Sequence, residues 1–113
     1  MGNRIPDKNR DLVRVRDHHR CARCFAPAPH GHLHHRRSRL VRDEHQHCPC
    51  TLVLLCGTCH TWVHAHPVEA RDTGYMISKF EQHPQNVTMT TPLGRRETDC
   101  RGGYKYEQGG NEE

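Results

Sequence analysis

The pattern of apolar and polar positions predicts a pair of short strands at the centre of the chain. Residues 51–55 (TLVLL) are β-branched and aliphatic, which is typical of a buried strand. Residues 32–37 (HLHHRR) alternate weakly and predict a second strand. Residues 38–50 between them are polar and have no period, which predicts a loop.

Helix signals follow and precede this strand pair. Gly57 and Thr58 provide a turn and an N-cap for a helix that runs to about residue 65. Pro67 breaks that helix or begins a second short one that ends before Gly74. Residues 7–19 predict a basic helix with a poor apolar period. Two further segments alternate as strands do: residues 75–79 and residues 87–90.

The composition adds that a folded domain of this sequence needs disulfides or a bound metal ion for stability. Only 33% of the 113 residues are hydrophobic and 5% are aromatic, so a core of this size needs additional cross-links. Seven cysteines and twelve histidines supply the means. We expect one α+β domain at residues 14–91, a basic N-terminal extension at residues 1–13, and a flexible, Gly-rich charged tail at residues 92–113.

Charge and hydropathy point to a cytoplasmic protein with a polyanionic partner. Residues 1–42 carry eleven basic and three acidic side chains, a local charge of +8. Such a basic half suggests nucleic acid, although a solvated basic helix explains it equally well. No segment has the apolar core of a secretory signal or the roughly 20 apolar residues of a membrane helix. We therefore expect no membrane partner, and in the cytoplasm cysteine pairs are more often metal ligands than disulfides.

Two Cys-x-x-Cys pairs are the strongest chemical signal in the sequence. Cys21 and Cys24 form the first pair, and Cys56 and Cys59 form the second. Two intervening residues allow both thiolates to bind one tetrahedral Zn²⁺ from a tight turn, and two such pairs complete a closed structural site. The 31 residues between the pairs exceed the gap of a simple zinc ribbon, so further structure is expected there.

Histidines near these pairs predict a second kind of site. His60 and His64 are one helical turn apart and share a face, so both can bind one ion. His34 and His35 are adjacent on a predicted strand and point to opposite sides, which suits one metal ligand and one base. His32 is a rival to His34 because strand residues two apart share a face.

The segments CARC, HLHHRR and TLVLLCGTCHTWVH resemble the zinc-containing HNH endonucleases. The stretch CGTCHTWVHAHPVEARDTGYMISK is especially similar to small HNH proteins of actinobacterial tailed phages. The resemblance spans about residues 14–91. It implies the ββα-metal fold, in which two antiparallel strands and a helix surround a catalytic metal. It also implies hydrolysis of phosphodiester bonds in double-stranded DNA, leaving 5′-phosphate and 3′-hydroxyl, with no small-molecule substrate. Phage terminase or packaging proteins are implied as further partners.

Position by position, the resemblance implies a role for each group. The four cysteines would hold structural zinc. His35 would be the general base, and His34, His60 and His64 would bind a catalytic Mg²⁺, Mn²⁺, Ni²⁺ or Zn²⁺. Thr51 stands where the family has an Asn that holds the base in place, and a hydroxyl has fewer donors than an amide. The expected DNA contacts are Arg14, Arg16, Arg20, Arg23, Arg36 and Arg37.

Several residues have a simpler interpretation. Cys48 and Cys50 are interpreted as loop thiols, since one intervening residue is tight for a shared ion, and Cys100 as a lone thiol in the tail. Trp62 is interpreted as a core anchor. The alternative function is a non-catalytic zinc module that binds DNA or a packaging partner. The histidine pair favours the enzyme, and Thr51 favours the module.

Overall fold

Helices and antiparallel strands occur in separate runs along the chain, so the protein belongs to the α+β class. The structure is a computed structural model and describes residues 4–107. Its elements, in order, are α1 (Asp7–Arg16), β1 (His32–His35), β2 (Leu52–Leu55), α2 (Gly57–Ala65), α3 (Pro67–Asp72), a 3-10 turn (Pro84–Asn86), β3 (Met89–Thr91), β4 (Gly94–Thr98) and β5 (Tyr104–Tyr106).

β1, β2 and α2 form the centre of the molecule. The two strands are antiparallel, with His32 opposite Leu55 and His35 opposite Leu52. Every residue of β2 is buried, as its apolar sequence predicts. α2 begins directly after β2, and residues 38–50 contain no helix or strand. The predicted hairpin, loop and helix are therefore confirmed, with slightly different ends.

The main core lies between β2 and the two helices that follow it. Val53 and Leu55 of β2 pack with Val63 of α2, Ala70 of α3 and Tyr75. Tyr75 is 1% exposed, and its hydroxyl donates to the Thr90 carbonyl at 2.6 Å. This cluster fixes α2, and with it the histidines and cysteines of that helix, against the strand pair.

The N-terminal helix belongs to the folded domain, which corrects the predicted extension at residues 1–13. Ile5 and Val13 are buried against Leu52 in a second apolar cluster. α1 ends at Arg16, earlier than predicted, because His18 and His19 both have φ of 57°, which a helix does not allow. The apolar period of this segment is poor because only a few of its side chains are buried. The sequence therefore did not indicate that the helix packs on the domain.

A buried carboxylate joins three elements. Asp17 accepts from Nε of Arg16 at 2.9 Å, from the backbone N–H of Leu54 at 3.0 Å, and pairs with Nη1 of Arg96 at 3.0 Å. Burial opposes ionisation, but the two arginines outweigh it and hold the pKa of Asp17 below 3.8. Asp17 thus links the end of α1 to β2 and β4.

The predicted flexible tail at residues 92–113 is wrong over its described part. β3, β4 and β5 form a three-stranded antiparallel sheet. Arg96 and Thr98 are 3% and 2% exposed, so β4 packs against the interior. The charge-rich sequence did not indicate that β4 is buried. Arg96 can lie in the interior because it forms an ion pair with Asp17. Residues 108–113 lie outside the described residues.

The predicted strand at residues 75–79 is also wrong. The backbone N–H groups of Tyr75 and Met76 both donate to the Ala70 carbonyl at the end of α3, at 2.8 and 3.2 Å. Only Ile77 then forms a bridge, donating to the Arg36 carbonyl at 2.7 Å. Strand β3 overlaps the segment predicted at residues 87–90. Among the described residues no helix has the length and apolar character needed to span a membrane.

Candidate metal centres

The cysteines of the two predicted pairs converge on one point. The sulfur atoms of Cys21, Cys24, Cys56 and Cys59 all lie within 4.8 Å of one another, and those of Cys24 and Cys56 are 3.8 Å apart. Two thiolates on a tetrahedral Zn²⁺ at about 2.3 Å would be separated by about 3.8 Å. The cluster therefore has the dimensions of a structural zinc site.

Turns at both pairs hold these sulfur atoms in place. The N–H of Phe25 donates to the Cys21 carbonyl at 2.7 Å, and Phe25 has φ of 64°, which closes the first turn tightly. In the second pair, the N–H of Cys59 donates to Sγ of Cys56 at 3.4 Å. Burial raises the pKa of Cys59 to about 12 and also raises that of Cys21. A cation would offset that cost, so the donor set suits a metal.

Arg23 lies beside this cluster. Its guanidinium stacks 3.7 Å from the centre of the Trp62 ring, and its Nη1 donates to Sγ of Cys59 at 3.3 Å. Trp62 is partly buried against the main core, in agreement with its interpretation as a core anchor. Arg23 is half-buried by these contacts and supports the sulfur cluster.

A second cluster contains His34, His60 and His64. Each offers one ring nitrogen, and these atoms lie within 4.8 Å of one another. Nε2 of His60 is 3.1 Å from Nε2 of His64. Two imidazoles on one ion at about 2.1 Å would place their nitrogens about 3.4 Å apart in a tetrahedral site. The helix spacing of four residues therefore brings the two imidazoles together as predicted, at a separation close to that of two ligands on one ion.

His34 is oriented by the backbone. Its Nε2 donates to the Tyr75 carbonyl at 2.8 Å, which leaves Nδ1 as the unprotonated nitrogen of the neutral ring. Burial lowers the pKa of His34 to about 4, so the ring is neutral at pH 7. Metal-binding histidines commonly donate their second nitrogen to a carbonyl in this way. His32, the rival to His34, instead stacks on His60 at a centroid distance of 4.5 Å.

His35 follows His34 on β1, lines the same cleft and contacts two side chains outside the three-histidine cluster. Nε of Arg39 donates to Nδ1 of His35 at 3.0 Å, so the proton of the neutral ring lies on Nε2. That Nε2 is 3.0 Å from Nδ1 of His47, to which it donates. Burial, followed by the charge of Arg39, lowers the pKa of His35 to about 4, so the ring is neutral at pH 7.

Thr51 is buried away from these contacts. Its hydroxyl lies 3.7 Å from Sγ of Cys50, and its carbonyl accepts from the N–H of Arg36 at 2.8 Å. The hydrogen bonds of the His35 ring go to His47 and Arg39 instead. No contact of the Thr51 side chain in the described structure supports its predicted catalytic role. The neighbour of His35 that the sequence did not indicate is His47.

Three arginines predicted to contact DNA are buried, which corrects that expectation. Arg16, Arg36 and Arg37 are 3%, 2% and 1% exposed. The Arg36 guanidinium donates to three backbone carbonyls, those of Gly74, Cys50 and Val87. These side chains hold loops together through their forked donors and present none of them to a phosphate.

Other basic side chains lie where a polyanion can reach them. Arg14 and Arg20 are at least partly exposed, although both donate to nearby backbone carbonyls. Exposed Arg39 lines the cleft that also contains His34, His35, His60 and His64. Exposed Arg71 and Lys79 line an adjoining cleft with His34, His35 and His64. These last three were missed because they lie far apart in the sequence.

The interpretation of Cys100 as a lone thiol of the tail is wrong, because Cys100 meets Cys48 and Cys50 of the loop before β2. Together with His45 they form a third group, whose ligand atoms lie within 4.8 Å of one another. The turn between β4 and β5 brings Cys100 to the loop before β2. The protein therefore has two cysteine-rich clusters consistent with structural zinc.

The protein is thus a small α+β protein whose two cysteine-rich clusters suit zinc. The all-histidine cluster beside His35 is a third candidate metal site. Each of the three clusters joins a local pair of residues to residues from another part of the sequence. No family model, no curated protein and no solved structure matches the chain.

Proposed function

We propose that the protein is a metal-dependent DNA endonuclease of the HNH type, with a ββα-metal centre formed by β1, β2 and α2. One observation carries the proposal: the cleft that contains His34, His60 and His64 also contains a neutral histidine, His35, that is not part of that cluster. A purely structural zinc module has no need of such a ring. In this proposal Cys21, Cys24, Cys56 and Cys59 hold structural Zn²⁺.

His34, His60 and His64 are the proposed ligands of the catalytic metal. When bound, the cation would stabilise negative charge on the scissile phosphate and on the leaving 3′ oxygen. Three imidazoles suit Zn²⁺ or Ni²⁺ better than Mg²⁺, which prefers oxygen ligands. The carbonyl of Tyr75 keeps the His34 ring in the orientation that presents Nδ1.

His35 is the proposed general base, acting through Nδ1. A neutral imidazole can take the proton of an attacking water, and attack in line with the leaving oxygen yields 5′-phosphate and 3′-hydroxyl. His47 accepts from Nε2 and so fixes the tautomer in which Nδ1 is the acceptor.

In the structure Arg39 donates a hydrogen bond to Nδ1 of His35, the nitrogen that would act as the base. This contact would connect the binding of substrate to the release of that nitrogen. The arginine is exposed, so it can leave the ring without disturbing the core. A phosphate in the cleft is a stronger partner for a guanidinium than a neutral imidazole. Binding of the DNA backbone would thus draw Arg39 to the phosphate and release the basic nitrogen.

Double-stranded DNA is the proposed substrate because the charged side chains around the cleft are all basic. Arg39, Arg71 and Lys79 lie beside the histidines, and Arg14 and Arg20 add positive charge elsewhere on the surface. Such contacts bind the phosphate backbone and carry no base specificity. Phage packaging proteins remain partners proposed from the family resemblance alone.

The second candidate function is a zinc module that binds DNA without cutting it. Thr51 favours it, because its hydroxyl contacts Cys50 and does not hold the proposed base. The two functions differ in one respect that can be measured, which is whether the phosphodiester bond breaks.

Incubation with supercoiled plasmid across a series of Ni²⁺, Zn²⁺, Mn²⁺ and Mg²⁺ tests the proposal. We expect nicking that chelator abolishes and that His35→Ala lowers by roughly 10²–10⁴-fold. His30→Ala, at an exposed histidine outside the three clusters, is the matched control and should cut normally. Binding of the plasmid without nicking in any metal would favour the non-catalytic module.

A further inference from the structure

His45, Cys48 and Cys50 lie in the loop before β2, and Cys100 lies in the turn between β4 and β5. The group is separate from the four cysteines near α2 and from the three histidines of the cleft. Cys48 is 7% exposed and Cys50 is fully buried, whereas Cys100 is at the surface. Three thiols and an imidazole thus close around one point that the proposed nuclease chemistry does not use.

The distances fit one tetrahedral ion. Nδ1 of His45 is 3.7 Å from Sγ of Cys50 and 3.8 Å from Sγ of Cys100. With zinc bonds of about 2.3 Å to sulfur and about 2.05 Å to nitrogen, a tetrahedral site places such atoms about 3.6 Å apart. The fourth atom, Sγ of Cys48, lies within 4.8 Å of the others.

The surrounding contacts direct the ligand atoms inward. Nδ1 of His45 faces the sulfur atoms of Cys50 and Cys100, and Nε2 of the same ring lies 3.9 Å from the carboxylate of Glu44. The Cys50 carbonyl accepts from Nη1 of Arg36 at 2.7 Å, so its backbone is fixed by the buried arginine. Asp99 accepts from the N–H groups of Arg101 and Gly103 at 2.8 and 2.7 Å, which shapes the turn that carries Cys100.

We propose that His45, Cys48, Cys50 and Cys100 bind a second structural Zn²⁺. Soft thiolates with one imidazole select zinc over hard cations such as Mg²⁺. The metal would join residues 55 positions apart and attach the β3–β4–β5 sheet to the loop before β2. This explains how a Gly-rich and charged C-terminal segment keeps a fixed position. A disulfide within the group is the competing chemistry, and it would use two sulfurs and leave the imidazole without a role.

Native mass spectrometry of the full chain tests the site. All measurements use a His60→Ala background, so that the cleft histidines do not add metal. We expect Cys100→Ser and His45→Gln each to bind one zinc fewer than the background protein. Cys100→His should retain the metal because imidazole is also a zinc ligand. His30→Gln is the matched histidine control and should keep full zinc content.

Cobalt substitution keeps the test decisive if Cys100→Ser fails to fold. In the His60→Ala background, two Co²⁺ ions per chain with sulfur-to-cobalt charge-transfer absorption would support two cysteine-rich sites. A single such ion per chain would overturn the proposal. Unchanged zinc content in both Cys100→Ser and His45→Gln would overturn it, as would a disulfide among Cys48, Cys50 and Cys100 in freshly purified, zinc-loaded protein.

Discussion

Nε2 of His35 donates to Nδ1 of His47, and the two nitrogens are 3.0 Å apart. The donor lies at the end of β1, and the acceptor lies in the loop that leads to β2, twelve residues later. His47 thereby contacts the proposed base, which is the part that the family resemblance implied for the residue at position 51. An imidazole acceptor can fix the tautomer of a neighbouring ring as an amide does.

Replacement of His47 tests this positioning. We expect His47→Ala to lower plasmid nicking by about 10- to 100-fold while metal affinity at the cleft histidines stays unchanged. His47→Gln keeps an acceptor oxygen, so it should recover part of the activity. His30→Ala controls for the loss of a surface histidine. Normal nicking by His47→Ala would show that Nε2 of His35 needs no acceptor.

Replacement of His60 should act on metal binding and leave the base intact. Loss of one imidazole from three should weaken the binding of Ni²⁺ by at least about 100-fold, since even outer-shell changes cost about 10- to 100-fold. Nicking should then return in part at high metal concentration. Isothermal titration gives the affinity, and Thr61→Ala, at an exposed position on the same helix, is the control. A His60→Ala variant with unchanged Ni²⁺ affinity contradicts the assignment.

Removal of the zinc that we propose for Cys21, Cys24, Cys56 and Cys59 should unfold most of the chain. Binding energy at a structural zinc site in a small domain is largely folding energy. Cys24→Ser is the sharpest variant because Cys24 is exposed and adds no apolar packing. We expect loss of the cooperative melting transition, measured by circular dichroism. A transition unchanged after complete zinc removal rules out this role for the metal.

Spacing in the sequence predicted those pairs of site residues that lie within one turn of the backbone. The Cys-x-x-Cys pairs and the His60–His64 pair fall into this class, because local backbone geometry alone brings the atoms together. The strand–strand–helix order was equally local, since β2 is a continuous apolar run with a turn signal after it.

Tertiary contacts decide the rest. Cys100 meets His45 only because three strands fold back across the molecule, and nothing local to Cys100 indicates it. Arg36 looks like a surface cation in the sequence, yet three backbone carbonyls and the buried loop ends around it make it an interior residue. The charge pattern along the chain does not distinguish a buried arginine from an exposed one. The carbonyl acceptors that surround the guanidinium in the folded protein do.

DNA binding should depend on salt through the exposed arginines. We expect Arg39→Ala and Arg71→Ala each to lower the slope of log affinity against log salt by about one, as the loss of one phosphate contact predicts. Lys105→Ala, on strand β5, serves as the control. Binding is measured by fluorescence anisotropy with duplex DNA. Affinity that does not change with salt would contradict a phosphate-backbone surface.

Asp17 carries the clearest stability prediction. Its carboxylate is fully buried between Arg16 and Arg96, so Asp17→Asn leaves two buried cations without a counter-charge and should cost about 3 to 5 kcal/mol. The pKa of Asp17 is lowered in the folded protein, so its contribution is complete above 3.8 and is lost only as pH falls through the folded value.

The melting temperatures of wild type and Asp17→Asn should therefore differ by a constant amount from about pH 8 to about pH 5.5, because Asp17 is ionised in both folded and unfolded chains there. Zinc affinity also falls as the pH falls, but both proteins carry the same candidate zinc ligands, so this change acts on both melting temperatures. Asp7→Asn breaks an exposed pair with Arg4 and should change stability much less. A difference that shrinks between pH 8 and pH 5.5 would mean that burial raises the pKa of Asp17, because the folded carboxyl would then take up its proton before the unfolded one.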